Sequence, residues 1–100
     1  MILRVFRVTI PADCHQVWRD LVKHESMPAL SRTDGLLAYW AAEPIDEGDD
    51  EFTMVTLWRD LDAVRAFTGG DHHDVVLLGE ETAFAQGATV GHFRVFGSKH

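Results

Sequence analysis

What this chain lacks narrows it first. A single cysteine, Cys14, among 100 residues excludes an internal disulfide and fits a reducing compartment. Nine Lys and Arg are set against sixteen Asp and Glu, for a formal net charge of −7, and the basic residues do not cluster. Nucleic acid is therefore not an expected partner, because phosphate binding needs a basic stripe. No run approaches the ~20 apolar residues that cross a bilayer. Arg4 and Arg7 interrupt the apolar stretch at the N-terminus, so no signal peptide is read there either. These absences predict a soluble, cytoplasmic protein. A phosphate loop, a dinucleotide fingerprint and a nucleophile elbow are all missing.

What is present describes one domain over residues 1–100, since no linker divides the chain and nothing smaller would bury enough surface. Three Trp and six Phe in so short a chain suggest an apolar cavity or a subunit interface. Six of the acids crowd into Glu43–Glu51 (EPIDEGDDE), which reads as a solvated hairpin tip. Its spacing lacks the alternation and the distal bidentate Glu of a calcium loop.

The elements follow from the pattern. Ile2 to Ile10 reads as a strand ended by Pro11, and Asp13 is a helix N-cap. The helix is expected to run to about Ser26, because Pro28 disfavours helical geometry at Met27. Asp34-Gly35 signals a turn before a strand over Leu36–Ala42. Phe52–Trp58 forms the third strand, and Asp60 caps a short helix reaching Phe67. Gly69-Gly70 breaks it. A further helix is predicted over His72–Leu78, bent at Gly79 before Glu80–Ala85, and Thr89–Phe96 closes the sheet. The order is β-α-β-β-α-β, a ferredoxin-like α+β arrangement with an antiparallel sheet. One helical layer leaves the other sheet face bare, so a homodimer is expected.

The segment EFTMVTLWRDLDAVRAF, Glu51 to Phe67, carries the most information. Phe52, Met54, Thr56 and Trp58 alternate with Thr53, Val55 and Leu57 with no charge between them, which reads as burial on both faces. Such a strand, ending in Trp and turning directly into a helix, resembles the antibiotic-biosynthesis-monooxygenase-like branch of the dimeric α+β barrel proteins. The resemblance extends from the opening ILRVFRVTI to the closing VGHFRVFG. It implies two sheets packed face to face, with a pocket in each subunit between sheet and helices. It also implies three outcomes: cofactor-independent oxidation of phenols or quinols, haem degradation, or no established activity. In the first group the phenolate supplies electrons to O₂, and the protein provides a dry pocket and a base. An Asn usually accompanies the strand-three Trp in that group; here Met54 stands four residues before Trp58. The haem degraders use a first-strand Asn, a helix Trp and a helix His. This chain offers Arg7 or apolar neighbours, Phe67 and the region of Leu77 instead, which disfavours haem degradation.

Candidate residues follow. Trp58 either borders the pocket or simply packs against Phe67. At 100° per residue, Cys14, Val17, Trp18, Leu21 and Val22 span one apolar arc, with Glu25 inside it and His24 at its rim. Either residue would serve as base if it faced the pocket, and both would be solvated if the helix frayed before Pro28. Phe67 and Phe93 are expected to wall the pocket. Arg94 or Arg7 would bind a substrate oxyanion or form an interface ion pair. His72-His73-Asp74 is read as a surface feature, because adjacent histidines on a helix point about 100° apart. No metal, flavin or other cofactor is therefore expected. Two functions remain open: a cofactor-independent monooxygenase for an electron-rich phenol, quinol or anthrone-like molecule, or a non-catalytic, small-molecule-binding or stress-associated dimer.

Overall fold

β1 (Ile2–Thr9) comes first in the chain yet lies inside the sheet, antiparallel to β3 (Glu51–Trp58) on one side and to β4 (Gln86–Arg94) on the other. β2 (Leu36–Ala42) pairs with the far side of β3, giving the order β2-β3-β1-β4. This is the arrangement in a computed structural model that describes residues 1–100. Four antiparallel strands with helices over one face make a ferredoxin-like α+β fold. No helix is long and apolar enough to cross a membrane.

Alternation along the strands decides what each face presents. Ile2, Arg4 and Val8 of β1, with Phe52, Met54, Thr56 and Trp58 of β3, are buried beneath the helices. Thr53, Val55 and Leu57, which the pattern also assigned to the interior, are only half-buried, because no helix covers their face. Leu3 and Val5 flank them, and the side chains of Trp40 on β2 and Phe93 on β4 share that face at 55% and 60% exposure. The apolar burden on both faces of these strands is real, but one chain covers half of it.

The first helical run is longer than Pro28 predicts. α1 (His15–Leu21) passes through a π-helical turn, Val22–Ser26, into α2 (Met27–Ser31). In that turn the Met27 N–H reaches back five residues to the Val22 carbonyl. Pro28 has no N–H to give, and in an unbroken α-helix its ring would press on the carbonyl of His24. The wider turn relieves this, and the helix continues.

α3 (Leu61–Thr68) begins as expected: the Asp60 carboxylate accepts from Ala63 N at 2.8 Å. It ends at Gly69, whose φ of 88° suits glycine. Gly35 makes the turn before β2 at φ 84°, and a Cβ there would lie 2.4 Å from that of Ala63, so only glycine lets α3 dock.

The helix predicted over His72–Leu78 does not form. Asp71 takes the backbone N–H of His73 on its own carboxylate at 2.9 Å. Arg4 takes the carbonyls of His72 and Asp74, the acceptors a helix would need for Val76 and Leu78. A 3₁₀ turn at Gly79–Ala83 then leads into β4.

Candidate active site

Beneath α2 and α3, the inward face of β1 and β3 floors a narrow cleft. Phe6 and Thr56 lie at its base, Leu30 and Phe67 come from the helices, and Val76 and Leu78 form the outer wall. Arg4 and Glu81 contribute its only ionisable groups. On the other side of Met54, a second cleft runs between α1 and the β2 edge, lined by Val8, Trp18, Val22 and Phe52 with Lys23 at its mouth. Met54 borders both, so its flexible thioether partitions one sheet–helix gap into chambers of about 40 and 100 Å³. Benzene fills an apolar cavity of about 150 Å³, more than either chamber alone, so any aromatic guest needs Met54 to move.

Glu81 is 4% exposed, and burial raises its carboxyl pKa above the ordinary value, against the opposing pull of its two hydrogen bonds. Those bonds come from the Leu78 backbone N–H and from Ser26 Oγ at 2.7 Å. Ser26 itself is 1% exposed, turned inward by the π-helical turn. The result is a carboxyl held by two donors at the edge of an apolar, aromatic cleft.

Arg4 is 3% exposed. Its guanidinium donates to the carbonyls of His72 at 2.8 Å and Asp74 at 2.7 Å, and lies 2.9 Å from His92 Nε2. The His92 pKa falls to about 4, chiefly through burial and then through the Arg4 charge, so the ring is neutral at pH 7 and accepts at Nε2. Phe67 offers Arg4 a ring face 5.8 Å away.

The residues singled out by sequence fall in different places. Phe67 lines the cleft. Trp58 does not: it is wholly buried with Ile2, Ala63 and Val64, and its indole N–H donates to Thr56 Oγ1 at 2.8 Å. It therefore reaches the cleft only through Thr56 and through its packing on Phe67, 5.1 Å between ring centres. His24 and Glu25 are exposed, because the π turn advances less per residue than the 100° assumed and brings Ser26 inward in their place. Phe93 stands on the opposite, uncovered sheet face, and Arg94 is exposed at the β4 edge. Arg7 is likewise on the far face, 3.8 Å from Glu51. His72 and His73 are not helical, so the angular objection to a shared ion lapses; with Asp71 they bring three donor atoms within 4.8 Å of one another. Arg4, Ser26 and Glu81 were missed, although strand alternation alone puts Arg4 on the same face as Ile2, Phe6 and Val8.

A ferredoxin-like domain with a ligand-sized gap between sheet and helices defines the class. The profile of the antibiotic biosynthesis monooxygenase family matches residues 1–76, and the chain belongs to that family. No curated protein sequence matches it. Among solved structures, it is similar to MhuD, a haem degrader of Mycobacterium tuberculosis with two haems in its active site (19% identity, TM-score 0.76, all of both chains covered). A protein from Deinococcus radiodurans described as an antibiotic biosynthesis monooxygenase aligns at 16% identity and TM-score 0.72, over 100% of this chain and 97% of that one. SnoaB, a cofactor-independent oxygenase of Streptomyces nogalater solved as its N63A mutant, aligns at 17% identity and TM-score 0.64, over 97% and 94%. At such identities the likeness speaks for the fold.

Proposed function

We propose that this protein is a cofactor-independent monooxygenase that oxidises an electron-rich phenol, quinol or anthrone-like molecule with O₂ in the sheet–helix cleft. The observation that carries the proposal is Glu81, a buried carboxyl of raised pKa facing aromatic and aliphatic walls. A carboxylate whose proton affinity is raised by burial is a stronger base than a solvated one, and the apolar walls keep water from the anion that results. For an anthrone-like guest the overall change is R₂CH₂ + O₂ → R₂C=O + H₂O. Two C–H bonds are lost, one oxygen atom becomes the carbonyl and the other leaves as water. The carbon gives up four electrons and O₂ takes four, so no external reductant enters. Glu81 removes the first proton and can return it to the departing oxygen.

Phe67 and Phe6 would hold the ring system, Thr56 would be steadied by Trp58, and Met54 would swing to join the chambers. Haem fits this cleft poorly, because no histidine lines it to supply an axial imidazole. The active species in our reading is a homodimer joined through the uncovered sheet face.

The test is oxygen uptake across a panel of hydroquinones, naphthols and anthrones. At least one should be consumed with one O₂ per turnover, and Glu81→Gln should lower kcat by ~10²–10⁴ while its circular dichroism stays unchanged. Binding without oxygen consumption, or full turnover by folded Glu81→Gln, would overturn the proposal.

A further inference from the structure

Arg4 poses a problem that the oxidation chemistry does not absorb. A guanidinium stays charged in any protein environment, and a buried charge without a counter-ion is costly. None of the seven ion pairs in the molecule includes Arg4. The Asp74 charge acts on it only through space; the contact it makes with that residue is to the backbone carbonyl, and the Asp74 side chain is in water. Its three hydrogen-bond partners are two carbonyls and one imidazole, all neutral, which occupy three of its five N–H groups. It lines the cleft, as Glu81 does.

We infer that Arg4 is the anion-recognising group of the cleft, and that the aromatic ligand carries a carboxylate or similar oxyanion beside its ring. This rests on the proposed use of the cleft as a ligand site. β1 fixes the guanidinium from below, His92 from the adjacent strand and the 72–74 carbonyls from above, so its remaining N–H groups are oriented before any ligand arrives. Phe67 covers the same ion, which places an arene next to the charge. A strut for the 72–74 segment would use these hydrogen bonds and leave the two remaining N–H groups of the guanidinium without a partner. With the oxyanion at Arg4, Glu81 is the other ionisable group of the cleft that a ring hydroxyl on the same ligand can meet.

The experiment compares three probes of nearly equal shape by anaerobic fluorescence titration of the intact protein: a hydroxynaphthoate, its primary amide and the parent naphthol. The carboxylate should bind on the order of ten- to a hundred-fold tighter than the amide, and the advantage should shrink at high salt. Arg4→Gln, which keeps donors for the carbonyls, should erase the preference, and Arg4→Lys should retain part of it. Equal affinity for carboxylate and amide in the wild-type protein overturns the inference without any variant, as does the absence of binding by all three. A preference that survives in Arg4→Gln overturns it as well. Carboxylate-selective binding with no oxygen uptake would remove the oxygenase proposal and leave this one standing. Oxygen uptake with no such preference would do the reverse.

Discussion

Arg4 and Arg7 enter the same strand three residues apart and meet opposite fates. Period two sends Arg4 under the helices and Arg7 to the open face, where Glu51 and water screen it. That division is legible in the sequence, since Ile2, Phe6 and Val8 share the parity of Arg4. Glu81 is not legible. It sits between Glu80 and Thr82, and only the 3₁₀ turn and Ser26, 55 residues away, bury it. His92 carries the pH consequence. Its folded pKa is depressed from 6.5 to about 4 by burial, then by Arg4, His72 and His73. The unfolded chain therefore takes up a proton that the folded chain refuses between those values. The His92 contribution is fully present above pH 6.5 and is lost as pH falls toward 4. Glu81 has the opposite sign, because its raised folded pKa favours the native state at low pH and that contribution fades as pH rises. We predict that His92→Gln flattens the loss of stability between pH 6.5 and 4, read from urea midpoints. Identical pH profiles for the variant and the wild type would show that the imidazole is not held neutral.

At the scale of elements, the capped start of α3 and its glycine end could be read directly, since both signals are local. The π turn could not. It adds a residue to one turn in order to carry Pro28, and so rotates everything near it out of the arc that 100° per residue draws. His24 and Glu25 move to solvent and Ser26 moves in. The consequence can be measured. Ser26→Ala removes a donor from a buried carboxylate and should cost about 1–3 kcal/mol, while raising the Glu81 pKa further, followed by its side-chain carbonyl shift in NMR. His24→Ala and Glu25→Gln should stay within about 0.5 kcal/mol and leave turnover unchanged. A marked loss in either would mean that the turn does not hold its phase in solution. The 71–78 segment was misread for a related reason: Asp71 reads locally as a helix cap, but Arg4, nearly 70 residues earlier, takes the acceptors that helix would need.

The whole molecule is half a packing problem. Leu3, Val5, Val55 and Leu57, with the exposed rings of Trp40 and Phe93, share one apolar sheet face that no helix covers, the kind of surface that marks an interaction site. Light scattering should give twice the chain mass. Val55→Asp, at the centre of that face, should yield the single-chain mass without loss of the helical signal, and a wild-type monomer at micromolar concentration would sink the dimer. The topology also has a consequence in time. β1 is made first, yet both its neighbours are made later, and β4 supplies the last of them some 85 residues downstream. One of its edges can pair once β3 is made, but the other stays open until β4 follows, so the four-stranded sheet cannot be completed before then. Closure of such distant contacts is slow, and an emerging apolar strand with open edges is a surface for wrong pairings. The residue that completes the cleft, Arg4, thus waits for the 72–74 segment and then for His92 before it has anything to hold.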